Sequence, residues 1–139
     1  MTTPIKHFVT VDAIITDNGK IVLIQRQNAP FRGMWALPGG FVDENETVRH
    51  ACIREAKEET GLIVAPLELI DVYSEPGRDP RGYVISVLFD CHMLGGELKA
   101  GDDAKNAKWF PLKQLPPLAF DHGQMIEDYL LYKNVQEIF

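Results

Sequence analysis

The sequence predicts an α/β protein in which a mixed sheet carries a helix on each side. Three observations lead there. Segments rich in Val and Ile outnumber helical ones, only two stretches carry clear helical signals, and strand-like segments separate those two stretches.

Taken in order, residues 7–15 and 21–25 are the first two strands. Thr16-Asp17-Asn18-Gly19-Lys20 lies between them, and its Asn-Gly pair readily takes the positive backbone angles of a tight hairpin turn. Residues 26–34 read as a polar loop, and Trp35-Ala36-Leu37 as a short strand before Pro38-Gly39-Gly40. A helix is expected over 46–60, capped by Asp43 or Asn45 and stopped by Gly61, which accepts a left-handed conformation. Residues 67–73 and 83–94 read as longer strands around a loop, SEPGRDPRG, too rich in Pro and Gly for regular structure. Residues 95–106 read as a polar loop and 107–110 as a short strand. The proline-broken PLKQLPPLAF leads into a last helix near 122–132.

Composition narrows the function classes. The 139 residues suit one compact domain, 1–139, with 45% apolar and 24% charged residues. A net charge of -6 argues against a general affinity for nucleic-acid backbone. An anionic ligand remains compatible with that charge if metal cations bridge the two. The two cysteines, Cys52 and Cys91, are far apart and outside any C-x-x-C pair, so both are expected reduced and packed, with a disulfide as the alternative. The start, MTTPIKHFVTVDAII, lacks a basic segment followed by an apolar run, and no stretch reaches the length of a membrane span. A cytoplasmic protein without membrane contact is the expectation.

The chemistry concentrates in residues 40–62, GFVDENETVRHACIREAKEETGL. Glu55, Glu58 and Glu59 fall at i, i+3 and i+4 of the expected helix and share one arc of roughly 100°. Carboxylates so crowded repel one another unless a divalent cation joins them, and oxygen-only ligands suit magnesium or manganese. The plainer reading is a solvated acidic face. Val48 and Ala51 point into the same arc, which turns it toward a groove or the protein body. Arg54, beside Glu55 and one turn before Glu58, can hold a carboxylate by a charge-assisted hydrogen bond.

This segment resembles the Nudix box, G-x5-E-x7-R-E-U-x-E-E-x-G-U with U apolar. Gly40, Glu46, Arg54, Glu55, Glu58, Glu59, Gly61 and Leu62 fall in register, and the first U is Ala56, smaller than the usual Leu or Ile. The preceding WALPGG is also typical of the family. The resemblance implies a Nudix-type α/β/α sandwich around a central mixed sheet, and hydrolysis of a nucleoside diphosphate linked to another group. It implies that Glu55, Glu58 and Glu59 ligate Mg²⁺, with Mn²⁺ as a substitute, aided by the carbonyl of Gly40. Glu46 would support the turn into the helix, and Arg54 would orient a ligating glutamate.

The loop and strand VYSEPGRDPRGYVISVLF resemble small prokaryotic ADP-ribose pyrophosphatases, with Tyr83 where that group has His. LAFDHGQMI resembles the start of their last helix. The implied reaction is ADP-ribose plus water to AMP and ribose 5-phosphate. Arg78 and Arg81 are candidates for phosphate or ribose contact, with Arg81 pairing with Asp79 as the plainer role. Arg26 and Arg32 precede the box and are candidates for phosphate, with solvation the simpler role for at least one. Trp35 and Trp109 read as core; Phe8 and Phe31 are candidates for adenine stacking, with core packing the safer alternative. The four histidines, His7, His50, His92 and His122, lack metal-ligand spacing and receive no catalytic role.

Many members of the family add a carboxylate from a late loop, six residues before a Trp. Here that position is Asp103, before Trp109, with Asp102 and Glu97 as neighbours and a solvated turn as the plainer reading. Rival functions are a Nudix hydrolase for an oxidised nucleoside triphosphate or for NADH, although the NADH-associated S-Q-P-W-P-F-P-Q-S pattern is lacking. A non-catalytic ADP-ribose sensor is a further rival, although such domains often lose box glutamates. Related ADP-ribose enzymes are often dimers, so the resemblance implies a homodimer.

Overall fold

The computed structural model describes residues 6–101 and 104–138. The order is β1 (Phe8–Asp17), β2 (Lys20–Arg26), β3 (Trp35–Ala36), β4 (Gly39–Phe41), α1 (Val48–Thr60), β5 (Leu62–Tyr73), β6 (Val84–Gly96), β7 (Ala104–Pro111) and α2 (His122–Ile138). The main strand order is β3-β2-β1-β6-β5, with β4 pairing β1 and β7 pairing β2. β1 and β6 run parallel and the other pairs antiparallel, so the sheet is mixed.

Alternation along the strands sends side chains to opposite faces. Val11, Ala13 and Ile15 of β1 join Val22, Phe89 and the α1 residues Ala51, Cys52 and Ala56 in one buried cluster. Ile14 joins Ile21, Leu23, Leu88 and the α2 residues Met125, Ile126 and Tyr129 in another. A helix therefore covers each face. Ile14, Ile21, Leu23 and Leu88 are fully buried, a contribution of about 1.5–3 kcal/mol each.

Several boundaries differ from the sequence expectation. α1 begins at Val48 with Thr47 as its cap, whose side chain accepts the His50 N–H at 3.0 Å. Asp43 and Asn45 are diverted from capping: Asp43 donates its N–H to Glu46, and Asn45 sits in a left-handed turn at φ 62°. Gly61 ends the helix at φ 77°, and a Cβ there would strike the carbonyl of Glu97.

β5 starts at once, at Leu62, although Pro66 argues against a strand there. β5 stands at the sheet edge and its ladder shifts register between Pro66 and Glu68. Edges and bulges are where a sheet tolerates a residue with no N–H. Gly39 and Gly40, which follow the expected short strand 35–37, pair with β1 as part of β4. β6 and β7 extend into the expected loop 95–106, and α2 continues to Ile138.

The cysteines are free and buried, with sulfurs 3.5 Å apart between α1 and β6. Among the described residues no helix is long and apolar enough to cross a membrane.

Candidate active site

β1, β4 and α1 meet at a cavity of about 330 Å³, a size that suits a small ligand. Gly39 and Gly40 make the meeting possible. A Cβ on Gly39 would run into the Val11 carbonyl, and one on Gly40 would lie 2.6 Å from the Glu55 carboxyl carbon. The glycine backbone thus lies directly against a carboxylate of α1.

Of the box glutamates, Glu59 is buried, Glu55 nearly so, and Glu58 exposed. The Gly39 N–H donates to Glu59 Oε1 at 3.3 Å. Burial, reinforced by the neighbouring Glu55, holds Glu59 well above the usual carboxylate range. Burial raises Glu55 as well, and the two carboxyls hydrogen-bond each other. Two buried acids that close together cannot both ionise without a positive partner.

Arg54 organises the other side of this cluster. Its Nε and Nη2 donate to both oxygens of Glu46, at 2.7 and 2.9 Å. Its Nη1 donates to Glu55 at 2.8 Å and to Glu58 at 3.2 Å, and Nη2 also reaches the Phe41 carbonyl at 3.1 Å. The Arg54 bonds and the Asp43 N–H pull Glu46 down to about 2. The Glu46 bonds in turn raise Arg54 further above its ordinary value. One guanidinium therefore serves three glutamates, while Glu59 has none.

The donor chemistry suits a hard divalent cation: two facing carboxyls, a third one turn from Glu55, and a glycine backbone pressed against them, although among the described residues no three acids converge on one point.

The candidate arginines are placed differently from one another. Arg26, Arg78 and Arg81 line the cavity, and Arg32 is exposed and outside its lining. Arg78 is held by Asp121 through two bonds of 2.8 and 2.6 Å, which raise it despite burial. Arg81 is held by Asp79 through two bonds of 3.0 and 2.7 Å. Arg26 donates its Nε to the Pro30 carbonyl at 2.7 Å, and burial, then Arg81, lower its pKa. No carboxylate bonds to Arg26 among the contacts of the described residues. It is the cation best able to take an anion. Asp103 and Asp102 lie outside the described residues; Glu97 is exposed.

Sequence reasoning missed two residues that line the cavity, Asp12 and His122, and Ser86 behind Asp12. Asp12, Ser86 and His122 are all buried. Ser86 donates its hydroxyl to Asp12. The Leu37 N–H donates to His122 Nδ1 at 3.0 Å, which leaves the His122 proton on Nε2, 3.5 Å from Asp12. Burial lowers His122, so the ring stays neutral. The only available signal was a lone Asp in VDAII and a lone Ser in VISVL, polar residues inside apolar runs. Trp35 and Trp109 are partly buried against core clusters.

Comparison with known proteins places this geometry. The NUDIX domain model matches residues 6–129. The chain is 59% identical over 126 residues to the ADP-ribose pyrophosphatase of Methanocaldococcus jannaschii, covering 91% of this chain and 75% of that one. Its fold superposes with TM-score 0.81 on the NUDIX domain of Shewanella oneidensis NrtR complexed with ADP ribose, at 32% identity, covering 91% of this chain and 88% of that chain. A bifunctional NMN adenylyltransferase/ADP ribose pyrophosphatase from Francisella tularensis, complexed with AMP and a manganese ion, gives TM-score 0.80 at 34% identity, covering 91% of this chain and 42% of that chain.

Proposed function

The chain belongs to the NUDIX domain family, and on that premise we propose that it hydrolyses ADP-ribose to AMP and ribose 5-phosphate with a divalent cation, Mg²⁺ or Mn²⁺. The observation that carries this reading is the Glu55–Glu59 pair, buried beside the Gly39–Gly40 backbone in a cavity that also holds the carboxylate-free Arg26. The 59% identity to an ADP-ribose pyrophosphatase supports the choice of substrate.

Glu55, Glu58 and Glu59, with the Gly40 carbonyl, are the residues to hold the cation. When bound, it neutralises diphosphate oxygens and lowers the pKa of a coordinated water. Arg54 keeps Glu55 and Glu58 in place through its bonds to both. Arg26 faces the diphosphate and compensates its charge. Arg78 and Arg81, tied to Asp121 and Asp79, shape the wall where the ribose and base enter. The proton of the attacking water goes to Glu55 or to Asp103, the loop acid expected from the family pattern. Asp103→Asn lowers kcat strongly, with Asp102→Asn near wild type, if Asp103 is the acceptor; equal, mild effects assign the role to Glu55.

A second reading, a sensor that binds ADP-ribose without cutting it, is favoured by the likeness to NrtR. Retention of every box glutamate weighs against it. A cytoplasmic location and a homodimer belong to the same proposal. The outer strand β5 exposes Leu67, Leu69 and Val72, which suits association with a second copy. Cell fractionation and light scattering test these two points.

The deciding experiment is a hydrolysis panel of ADP-ribose, NADH and normal and oxidised nucleoside triphosphates in Mg²⁺, with products separated by chromatography. ADP-ribose is expected to give the highest kcat/KM. A clear preference for a triphosphate overturns the substrate, and tight ADP-ribose binding without turnover supports the sensor.

A further inference from the structure

Away from the carboxylates, the same cavity is walled by aromatic rings and guanidinium groups. The Arg81 guanidinium lies over the Phe41 ring at 4.7 Å and over the Phe120 ring at 5.2 Å. The Arg26 guanidinium lies over Phe120 at 4.9 Å. Phe31 packs edge-on to Phe120 at 4.8 Å. One flat, delocalised group thus sits against the faces of two phenyl rings, where an aromatic base would stack.

The backbone supports a ligand role for these rings. Phe31 and Phe120 both hold left-handed backbone angles, φ 60° and 53°. Bulky side chains rarely adopt that region, and such strain collects at ligand clamps. Phe41 is 39% exposed, and the Arg81 guanidinium over its ring is what a ligand would have to displace. Packing alone leaves the strain of the touching pair Phe31 and Phe120 without a return.

Charge makes the free arrangement an uneasy one. Arg26 and Arg81 crowd the same ring, and burial followed by Arg81 disfavours the charge on Arg26. A neutral base with an anionic phosphate attached relieves this crowding: the base takes the ring faces, and the phosphate takes the released cation. When the Arg81 guanidinium moves, Asp79 keeps the Arg81 backbone N–H at 2.9 Å and the nearby charge of Arg78. Asn28 lines the same cavity and offers both a donor and an acceptor to a base edge.

We infer that Phe41 and Phe120 form the subsite for the substrate's purine base, and that in the free protein the Arg81 guanidinium stands in for that base. This rests on the ADP-ribose reading for the identity of the ligand.

The test is calorimetry in Mg²⁺ with AMP and, as a ligand lacking the base, ribose 5-phosphate. Phe41→Leu and Phe120→Leu keep apolar bulk and remove the ring. Each is expected to weaken AMP by about tenfold, the scale of one lost base–aromatic stack, and to leave ribose 5-phosphate unchanged. Phe41→Tyr keeps the ring and is expected to retain AMP affinity, which guards against a folding defect in the leucine variants. Arg81→Ala is expected to raise the ratio of AMP to ribose 5-phosphate affinity, because the stand-in is gone. Unchanged AMP binding in both leucine variants, or equal weakening of both ligands, overturns the subsite. A fall in the ratio for Arg81→Ala overturns the stand-in role and makes Arg81 a stacking partner. If wild type hydrolyses ADP-ribose while the leucine variants bind AMP normally, the subsite is wrong and the activity stands. If wild type leaves ADP-ribose intact, the activity is wrong, and the AMP comparison still judges the subsite.

Discussion

Glu46 and Glu59 belong to one motif and lie at the two ends of one carboxylate cluster, yet they are treated in opposite ways. Glu46 receives two bonds from Arg54 and one from the Asp43 N–H, and is pulled down to about 2. Glu59 is buried, faces Glu55, receives one long bond from Gly39, and is pushed well up. The first is a finished ion pair, and it stabilises the turn into α1. The second is unfinished in the protein alone, and a cation completes it. A carboxylate serves structure where the chain supplies its counter-charge, and serves chemistry where the chain withholds it.

Removing the charge at each end is the strongest way to break this contrast. Glu59→Gln is expected to cut kcat by about a hundredfold or more, the scale of losing one charge-stabilising group. The same variant is expected to melt at a higher temperature than wild type in metal-free buffer near neutral pH, since it removes an acid whose ionisation the fold penalises. Glu46→Gln is expected to do the reverse, lowering the melting temperature while costing less in kcat. Kinetics with thermal melts check both; a lower melting temperature for metal-free Glu59→Gln would undo the contrast.

Next in size is Gly40→Ala. The added Cβ meets the Glu55 carboxylate, which must swing aside. Displacement of a positioned group by about 1 Å is expected to lower kcat by about a hundredfold, with raised Mg²⁺ restoring little. Metal titration of the variant's rate is the check.

pH sharpens the same comparison. Glu46 titrates at about 2 folded against 4.5 ordinarily. Its contribution to stability is therefore full above 4.5 and is lost as pH falls toward 2. Glu59 is raised, so its contribution is full below 4.5 and is lost as pH climbs through its higher folded value. Metal-free stability should decline on that upper side, and Mg²⁺ should cancel the decline. Denaturant melts across pH, with and without Mg²⁺, are the measurement.

The smallest expected effects separate the arginines. Arg26→Ala is expected to raise KM for ADP-ribose by about tenfold or more, one charge-assisted bond's worth. Arg32→Ala, exposed and outside the cavity lining, is expected to change it little. Steady-state kinetics check the pair.

What could be read in advance was local. Glu55, Glu58, Glu59 and Arg54 lie within one turn or so of one another, and helical spacing alone brings them together. The Arg81–Asp79 pair, two residues apart, was legible for the same reason. The Arg78–Asp121 pair spans 43 residues and the Ser86–Asp12 contact 74, so only the folded sheet brings them together. The early start of β5 was not legible because the cost of a proline such as Pro66 depends on whether its strand is an edge, which no local pattern reveals. The start of α1 shifted because Glu46 was committed to Arg54 and Asp43, leaving Thr47 to cap.

The parallel pairing of β1 with β6 joins Phe8–Ile15 to Val84–Cys91. During synthesis, therefore, β1 waits for its central neighbour until the ribosome has released more than half of the chain. The box helix emerges well before then, with its acids in place and half of its platform missing. Pairings this distant close slowly, so the nascent chain carries a complete motif for some time before it has an enzyme's pocket. A translational pause before residues 84–91 leave the ribosome would lengthen that interval, and one after they leave would not.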